Sequence, residues 1–411
     1  MRTLDYTTEE LGVAPRLRIA LVTETWPPEV NGVAMTLRRM VDGLIERGHS
    51  LQLVRPRQTP SDTALRGGVL DEVLSRSLRL PRYEGLKLGL PARARLIREW
   101  TVRRPDLVHV ATEGPLGWTA VTAANKLRIP VTSDFHTNFD HYSSHYGMAW
   151  LRQPVAAYLR RFHNRTAITF VPTAALAAQL SARGYDRVEV ISRGVDTRLY
   201  SPTRRDDALR RSWGLAPGAL AVMCVGRIAP EKNLALVLRA FSEIRRQRPD
   251  ARLILVGDGP LRGALAREHP QVVFAGMRHG EDLAAHYASA DLFLFPSQTE
   301  TFGNVTLEAM ASGLCVLAYD YAAASEVIRD LGNGGLATLG DADGFVERAV
   351  HLACADELRA QLGAAARSSA EGIDWERVND RFAEALLRIW RPGLAPAAVA
   401  QAPARVRGAD A

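Results

Sequence analysis

Residues 291–313, DLFLFPSQTETFGNVTLEAMASG, place the tightest constraint on how this chain folds. The apolar run at 292–295 reads as a short buried parallel strand. Pro296 and Ser297 break it, and a loop follows with Glu300, Phe302 and Gly303. Residues 304–312 then read as a helix stopped by Gly313. A strand, loop and helix in this order bring the N–H groups of a helix start to the carboxyl end of a sheet. Phosphate is attracted there, because those donors lack internal partners and the helix dipole is positive. Glu300 and Glu308 fall on opposite flanks of that anion site. Carboxylates so placed suit hydroxyl groups on a sugar or ribose. A capping loop with one dipole-compensating Glu explains the same residues, and this segment alone leaves both readings open.

The rest of the chain repeats the rhythm. Residues 18–23 read as a first buried strand and 36–47 as a helix, with the loop ETWPPEVNGV (24–33) between them. In that loop Asn31-Gly32 is expected to turn with positive φ close to a ligand, although an ordinary tight turn also fits. Further strands are expected at 49–55, 106–111, 130–133, 167–172 and 188–191, with a linker at 199–202. The second half opens with a strand at 219–225, followed by Gly226-Arg227 and then Lys232 before a helix running to 246. Two cations and free N–H groups converge there, which suits a diphosphate. Gly257, Gly259 and Gly263 approximate a dinucleotide fingerprint. The last spacing is one residue too long and Pro260 occupies a fingerprint position, which favours a packing turn. Residues 375–390 read as an amphipathic helix, and the Ala- and Pro-rich tail from Pro392 as disordered.

Charge narrows the partners. The net charge of +7 calls for something anionic, yet no nucleic-acid-binding signature accompanies it, so nucleic acid is not expected. In residues 76–104 basic side chains from Arg76 to Arg104 interleave with Leu residues and Trp100. That pattern fits a segment lying on an anionic membrane surface, or a plain solvated helix face. The three cysteines form no CxxC pair, so a reducing cytoplasm fits. No apolar run is long enough to span a bilayer or to serve as a signal core, and residues 1–16 read as a loose leader. His136, His141 and His145 invite a metal reading, but a third ligand is not evident and a polar pocket fits better. Asp341 and Asp343 mimic a metal-holding pair and are more simply an N-cap turn.

Gly226-Arg227 with Lys232, the LVGDGP turn, and Glu300 with Glu308 occur in the order found in retaining glycosyltransferases of the GT-B fold, family four. The resemblance covers roughly residues 17–391. The ETWPPEVNGV loop and DFHTNFDHY segment are most similar to bacterial GDP-mannose-dependent α-mannosyltransferases, and to relatives that move sulfoquinovose or glucose onto diacylglycerol lipids. The implied fold is α/β, two Rossmann-like doubly wound domains facing across a cleft. Residues 17–197 would form the acceptor side, joined by a helix at 374–391, and 198–373 the nucleotide-sugar side, with 392–411 as tail.

The resemblance also implies roles. Arg227 and Lys232 would neutralise the departing diphosphate in place of a metal, so neither metal nor other cofactor is expected. Amides of Gly303, Asn304 and Val305, beside Phe302, would hold donor hydroxyls and phosphate. Glu308 would grip the ribose and Glu300 the donor sugar, while Gly276 and Met277 would meet the base. His136 would contact the sugar near its reacting carbon, and Asn31 and Gly32 would approach the diphosphate. Many members have a second glycine where this chain has Asn31, which implies a less close approach. The expected reaction is retaining transfer of mannose from GDP-mannose to a lipid or glycan at the cytoplasmic membrane face. A UDP-sugar diacylglycerol glycosyltransferase is the alternative. A nicotinamide-dependent oxidoreductase and a non-catalytic nucleotide binder are the rivals from other classes.

Overall fold

The computed structural model describes residues 15–29, 31–79, 87–136 and 152–390. The leader up to residue 14, His141, His145, Arg82 and the tail from 391 lie outside the described residues.

Two parallel sheets carry the chain. The first comprises β1 (Arg18–Val22), β2 (Ser50–Pro56), β3 (Leu70–Ser75), β6 (Leu107–Val110), β7 (Val131–Asp134), β8 (Ile168–Val171) and β9 (Val188–Val190). Between β3 and β6 a small antiparallel hairpin intervenes, β4 (Ser77–Arg79) with β5 (Lys87–Gly89). The strand order is β3-β2-β1-β6-β7-β8-β9, so the direction of winding reverses beside β1. The second sheet comprises β10 (Ala221–Val225), β11 (Arg252–Val256), β12 (Val273–Gly276), β13 (Leu292–Phe295), β14 (Cys315–Tyr319) and β15 (Gly335–Ala337). Its order, β12-β11-β10-β13-β14-β15, reverses beside β10. Strands such as AVMCV and LFLF are continuously apolar because helices cover both faces of the sheet. Both sheets are thus Rossmann-like and doubly wound, the architecture in which ligands bind where the winding reverses, at the carboxyl ends of the strands.

The last helix, Trp375–Trp390, returns to the first sheet. It buries Val378, Phe382 and Leu386, spaced one turn apart, against Leu37, Met40, Val41 and Leu44 of the helix Gly32–Glu46. Gly43 admits this contact, since a Cβ there would fall 1.9 Å from the Asn379 amide. The chain crosses between the sheets twice, side by side. Val195 pairs in parallel with Asp374, and a Cβ on Gly194 would lie 2.7 Å from the Trp375 nitrogen.

Two expectations change. The first helix begins at Gly32, four residues earlier than its apolar pattern suggests, because Asn31 caps it by accepting from the Ala34 amide at 2.8 Å. Asn31 is extended (φ −149°) and Gly32 is not among the positive-φ glycines, so no left-handed turn forms there. In the basic stretch, Leu96 and Trp100 are both 0% exposed on the helix Arg93–Val102, and the Trp100 indole donates to Gln52 at 2.7 Å. These two side chains are core; among the described residues of the stretch, the basic face and the exposed Leu78 and Val102 remain to meet a surface.

Candidate active site

The end of β10 is a backbone crossing point. A Cβ on Gly257 would sit 2.0 Å from the Gly226 carbonyl oxygen, so the GDG turn packs against the neighbouring strand end. This accounts for its imperfect dinucleotide spacing. Arg227 follows, and its guanidinium donates to Glu231 at 3.2 Å. Lys232 ends a single 3-10 turn, Pro230–Lys232, after which Asn233 takes the left-handed conformation (φ 53°) that starts the helix Leu234–Gln247. Asn233 donates to the Pro296 carbonyl at 3.3 Å, tying this turn to the loop after β13.

That loop brings Glu300 to Lys232, whose ammonium meets the carboxylate and lies 5.7 Å from the Phe295 ring centroid. Ser297 donates to the same carboxylate at 2.7 Å. Burial alone would raise the Glu300 pKa; the Lys232 charge and the Ser297 hydroxyl outweigh it and hold the group below its usual range. Gly303 then turns with φ 93° and opens the helix Asn304–Ala311 with no side-chain cap, leaving its first amides available. Phe302 is buried beneath. Glu308, one turn in, accepts from the Tyr287 hydroxyl at 2.9 Å. Burial pushes it up to about 7, against the lowering effect of the Tyr287 and Tyr200 hydroxyls. Gly276 ends β12 and accepts from the Gly257 amide, and Met277 beside it is 51% exposed.

The first sheet supplies the opposite wall. An ideal Cβ on Gly32 would lie 3.8 Å from the side-chain nitrogen Nδ2 of Asn304, so the first loop of one domain meets the helix start of the other. That loop is held from within. Asn31 donates to Thr25 at 2.7 Å, Thr25 donates to Glu29 at 2.6 Å, and Gln58 donates to Glu29 at 3.0 Å. Beyond β7, the His136 carbonyl accepts from the Thr301 hydroxyl at 2.7 Å, a direct bond between the domains. The His136 ring turns inward: Nε2 is 3.0 Å from Asp134 and Nδ1 is 3.2 Å from Arg193.

Arg227, Lys232, Glu300, Gly303 and Asn304 thus gather at one crevice, with Gly32 and His136 facing them. Glu308 and Val305 lie along the same helix, and Gly276 and Met277 at the neighbouring strand end. Glu300 and Glu308 take different partners: a cation for the first, two tyrosines for the second. Asp341 caps the helix Ala342–Cys354 by accepting from the Gly344 amide at 2.9 Å, and Asp343 pairs with Arg239. Sequence reasoning missed Ser297, Thr301, Tyr200 and Tyr287, which precise spacing does not mark. It also missed Asp134 and Arg193, although Asp134 stands two residues before His136.

Two Rossmann-like domains with facing switch-point crevices, one rich in cations and free helix amides, define a GT-B glycosyltransferase. The chain belongs to glycosyltransferase family 4, and is a hexosyltransferase. The family model "Glycosyltransferase Family 4" matches residues 30–199, and "Glycosyl transferases group 1" matches residues 219–354. A GDP-mannose-dependent alpha-mannosyltransferase of Mycolicibacterium smegmatis is 35% identical over 372 residues, covering 89% of this chain and 96% of the relative. A sulfoquinovosyl transferase of Arabidopsis thaliana is 30% identical over 388 residues, covering 91% and 75% respectively. Among solved structures, sucrose-phosphate synthase from Thermosynechococcus elongatus superposes with a TM-score of 0.75 at 18% identity, covering 92% of this chain and all of that one. Anabaena HepE in complex with UDP-glucose gives a TM-score of 0.69 at 20% identity, covering 90% and 99%.

Proposed function

We propose that the protein transfers mannose from GDP-mannose, with retention of the α configuration, to a lipid or glycan acceptor at the cytoplasmic membrane face. The observation that carries the reading is the convergence of Arg227, Lys232, Glu300 and the uncapped amides of Gly303 and Asn304 opposite Gly32. Mannose is favoured by relatives described as GDP-mannose-dependent alpha-mannosyltransferases at 31% to 35% identity.

In this reading Arg227 and Lys232 take up the charge of the leaving diphosphate, the part a metal plays elsewhere. The Gly303, Asn304 and Val305 amides hold phosphate and sugar hydroxyls, with Asn31 and Gly32 closing from the other domain. Glu300, kept ionised by Lys232, accepts from hydroxyls of the donor sugar. Glu308 accepts from the ribose, Gly276 and Met277 border the base, and Phe302 supports the loop. The His136 ring is taken up by Asp134 and Arg193, so its carbonyl, already beside Thr301, is the atom that lies toward the sugar. The acceptor hydroxyl attacks from the face that the diphosphate leaves, and no carboxylate nucleophile is needed.

A second reading, UDP-sugar transfer to diacylglycerol, is favoured by the plant sulfoquinovosyl transferase and by an alpha-monoglucosyldiacylglycerol synthase at 26% identity. Among the described residues no helix is long and apolar enough to cross a membrane. Membrane attachment would therefore rest on charge, through exposed Arg93, Arg95, Arg98, Arg103 and Arg104. The deciding experiment offers the protein a panel of GDP- and UDP-sugars with membrane lipids and follows release of each nucleoside diphosphate. Release from GDP-mannose above all others supports the first reading; preference for a UDP-sugar selects the second.

A further inference from the structure

We propose that Asp134 and Arg193 are positioning residues, a buried charge pair that clamps the imidazole of His136 between them and so fixes the His136 carbonyl at the Glu300 loop. The proposal rests on the reading of His136 as part of the donor site.

Asp134 ends β7 with 0% of its side chain exposed. Its Oδ2 lies 3.0 Å from His136 Nε2 and 3.5 Å from His109 Nε2. Among the described residues neither carboxylate oxygen, nor Nε2 of either imidazole, has a hydrogen bond of good geometry, so the two rings meet Asp134 as its nearest polar neighbours. Arg193 is 3% exposed and approaches His136 Nδ1 at 3.2 Å, while its second terminal nitrogen is buried without a hydrogen-bond partner among the described residues. A buried carboxylate and a buried guanidinium each carry a large desolvation cost unless they are compensated. Here the compensation runs through the imidazole ring.

The protonation pattern follows from the donor inventory. A guanidinium can only donate, so Nδ1 of His136 must accept, and the ring proton must sit on Nε2, facing Asp134. The ring is therefore held as one neutral tautomer by opposite charges at its two nitrogens.

What the clamp fixes is the backbone. With the ring immobilised, the His136 carbonyl is aimed at Thr301, the residue between Glu300 and Phe302. Arg193 reaches the ring from the segment that crosses between domains, where Gly194 lies against the backbone of Asp374 and Trp375. The clamp thus joins the strand end, the crossing and the Glu300 loop.

The test is long-range ¹H–¹⁵N correlation on histidine-labelled protein, with the His136 signals assigned by His136→Gln. The wild type should carry its His136 proton on Nε2. A proton on Nδ1, or on both nitrogens, overturns the clamp whatever the donor proves to be. Removing one charge strands the other, so the variant to use is the neutral pair Asp134→Asn with Arg193→Met. It should lose the fixed tautomer and lower kcat by about tenfold or more, while GDP affinity stays within about twofold, since neither residue touches nucleotide. An unchanged kcat with a scrambled tautomer overturns the positioning role. Full turnover by His136→Ala would instead remove the reading of His136 on which the proposal rests, and leave the tautomer result standing.

Discussion

Glu308→Gln is a substitution whose effect can be worked out from the site. Burial pushes the Glu308 carboxyl up to about 7, although the Tyr287 and Tyr200 hydroxyls favour its ionised form. A ribose diol donates hydrogen bonds, so it binds the carboxylate better than the acid, in which one oxygen carries a proton. The fraction ionised at a pKa of about 7 rises from roughly a tenth at pH 6 to nine-tenths at pH 8. If ribose binding needs the carboxylate, affinity for GDP should tighten about tenfold over that range, ~1.4 kcal/mol. The terminal phosphate also titrates near neutrality, so calorimetry should compare GDP with 2′,3′-dideoxy-GDP. The extra pH dependence should appear only with GDP and vanish in Glu308→Gln. The same pH profile for both nucleotides, or its survival in Glu308→Gln, would refute the ribose assignment.

Arg227→Ala should lower turnover by roughly 10²-fold or more, the scale of losing one charge-stabilising donor, as read by single-turnover kinetics. Lys232→Ala should do the same and also lower Tm, because it leaves Glu300 without its cation; adding Glu300→Gln should restore Tm but not turnover. Glu24 is buried and pushed up to about 7 by burial, with Glu113 adding to the rise and the Leu116 amide opposing it. A raised carboxyl pKa makes the folded state keep its proton, so the cost of ionisation grows between the ordinary value of 4.5 and about 7 and persists above. Glu24→Gln should therefore be more stable than the wild type at pH 8, by up to ~3 kcal/mol in urea unfolding, and little different at pH 4. Flotation with anionic liposomes should be lost when Arg93, Arg95, Arg98, Arg103 and Arg104 become Gln. With Leu96 and Trp100 buried, salt alone should also release the wild type. Salt-insensitive flotation would show a contact other than charge.

Much of this arrangement is legible in the chain. The alternation of apolar runs with Gly-terminated helices is enough to expect a βα chain with buried parallel strands, because strands buried on both faces must be continuously apolar. The two doubly wound domains come from the resemblance to GT-B glycosyltransferases. The Arg227–Lys232 and Glu300–Glu308 spacings mark helix starts at strand ends, where topology gathers ligands. The misread elements are those where tertiary contact decides. Trp100 among arginines looks like a membrane anchor until Gln52 on β2 accepts a hydrogen bond from its buried indole. Asn31-Gly32 looks like a left-handed turn, but the Asn31 side chain caps the Ala34 amide and starts the helix instead. The tyrosines around Glu308 come from residues 200 and 287, and the clamp on His136 from residues 134 and 193. Apart from Asp134, these neighbours are remote in sequence and meet only when the strands and helices of each domain are assembled.

The most direct test of the central claim is transfer itself. The protein should be incubated in EDTA with GDP-mannose and a membrane lipid extract, and the lipid product analysed by NMR for its sugar and anomeric configuration. The account predicts an α-mannosyl lipid, formed at a rate that added magnesium does not raise. A β-linked product, or transfer that appears only when a divalent metal is restored, would contradict it.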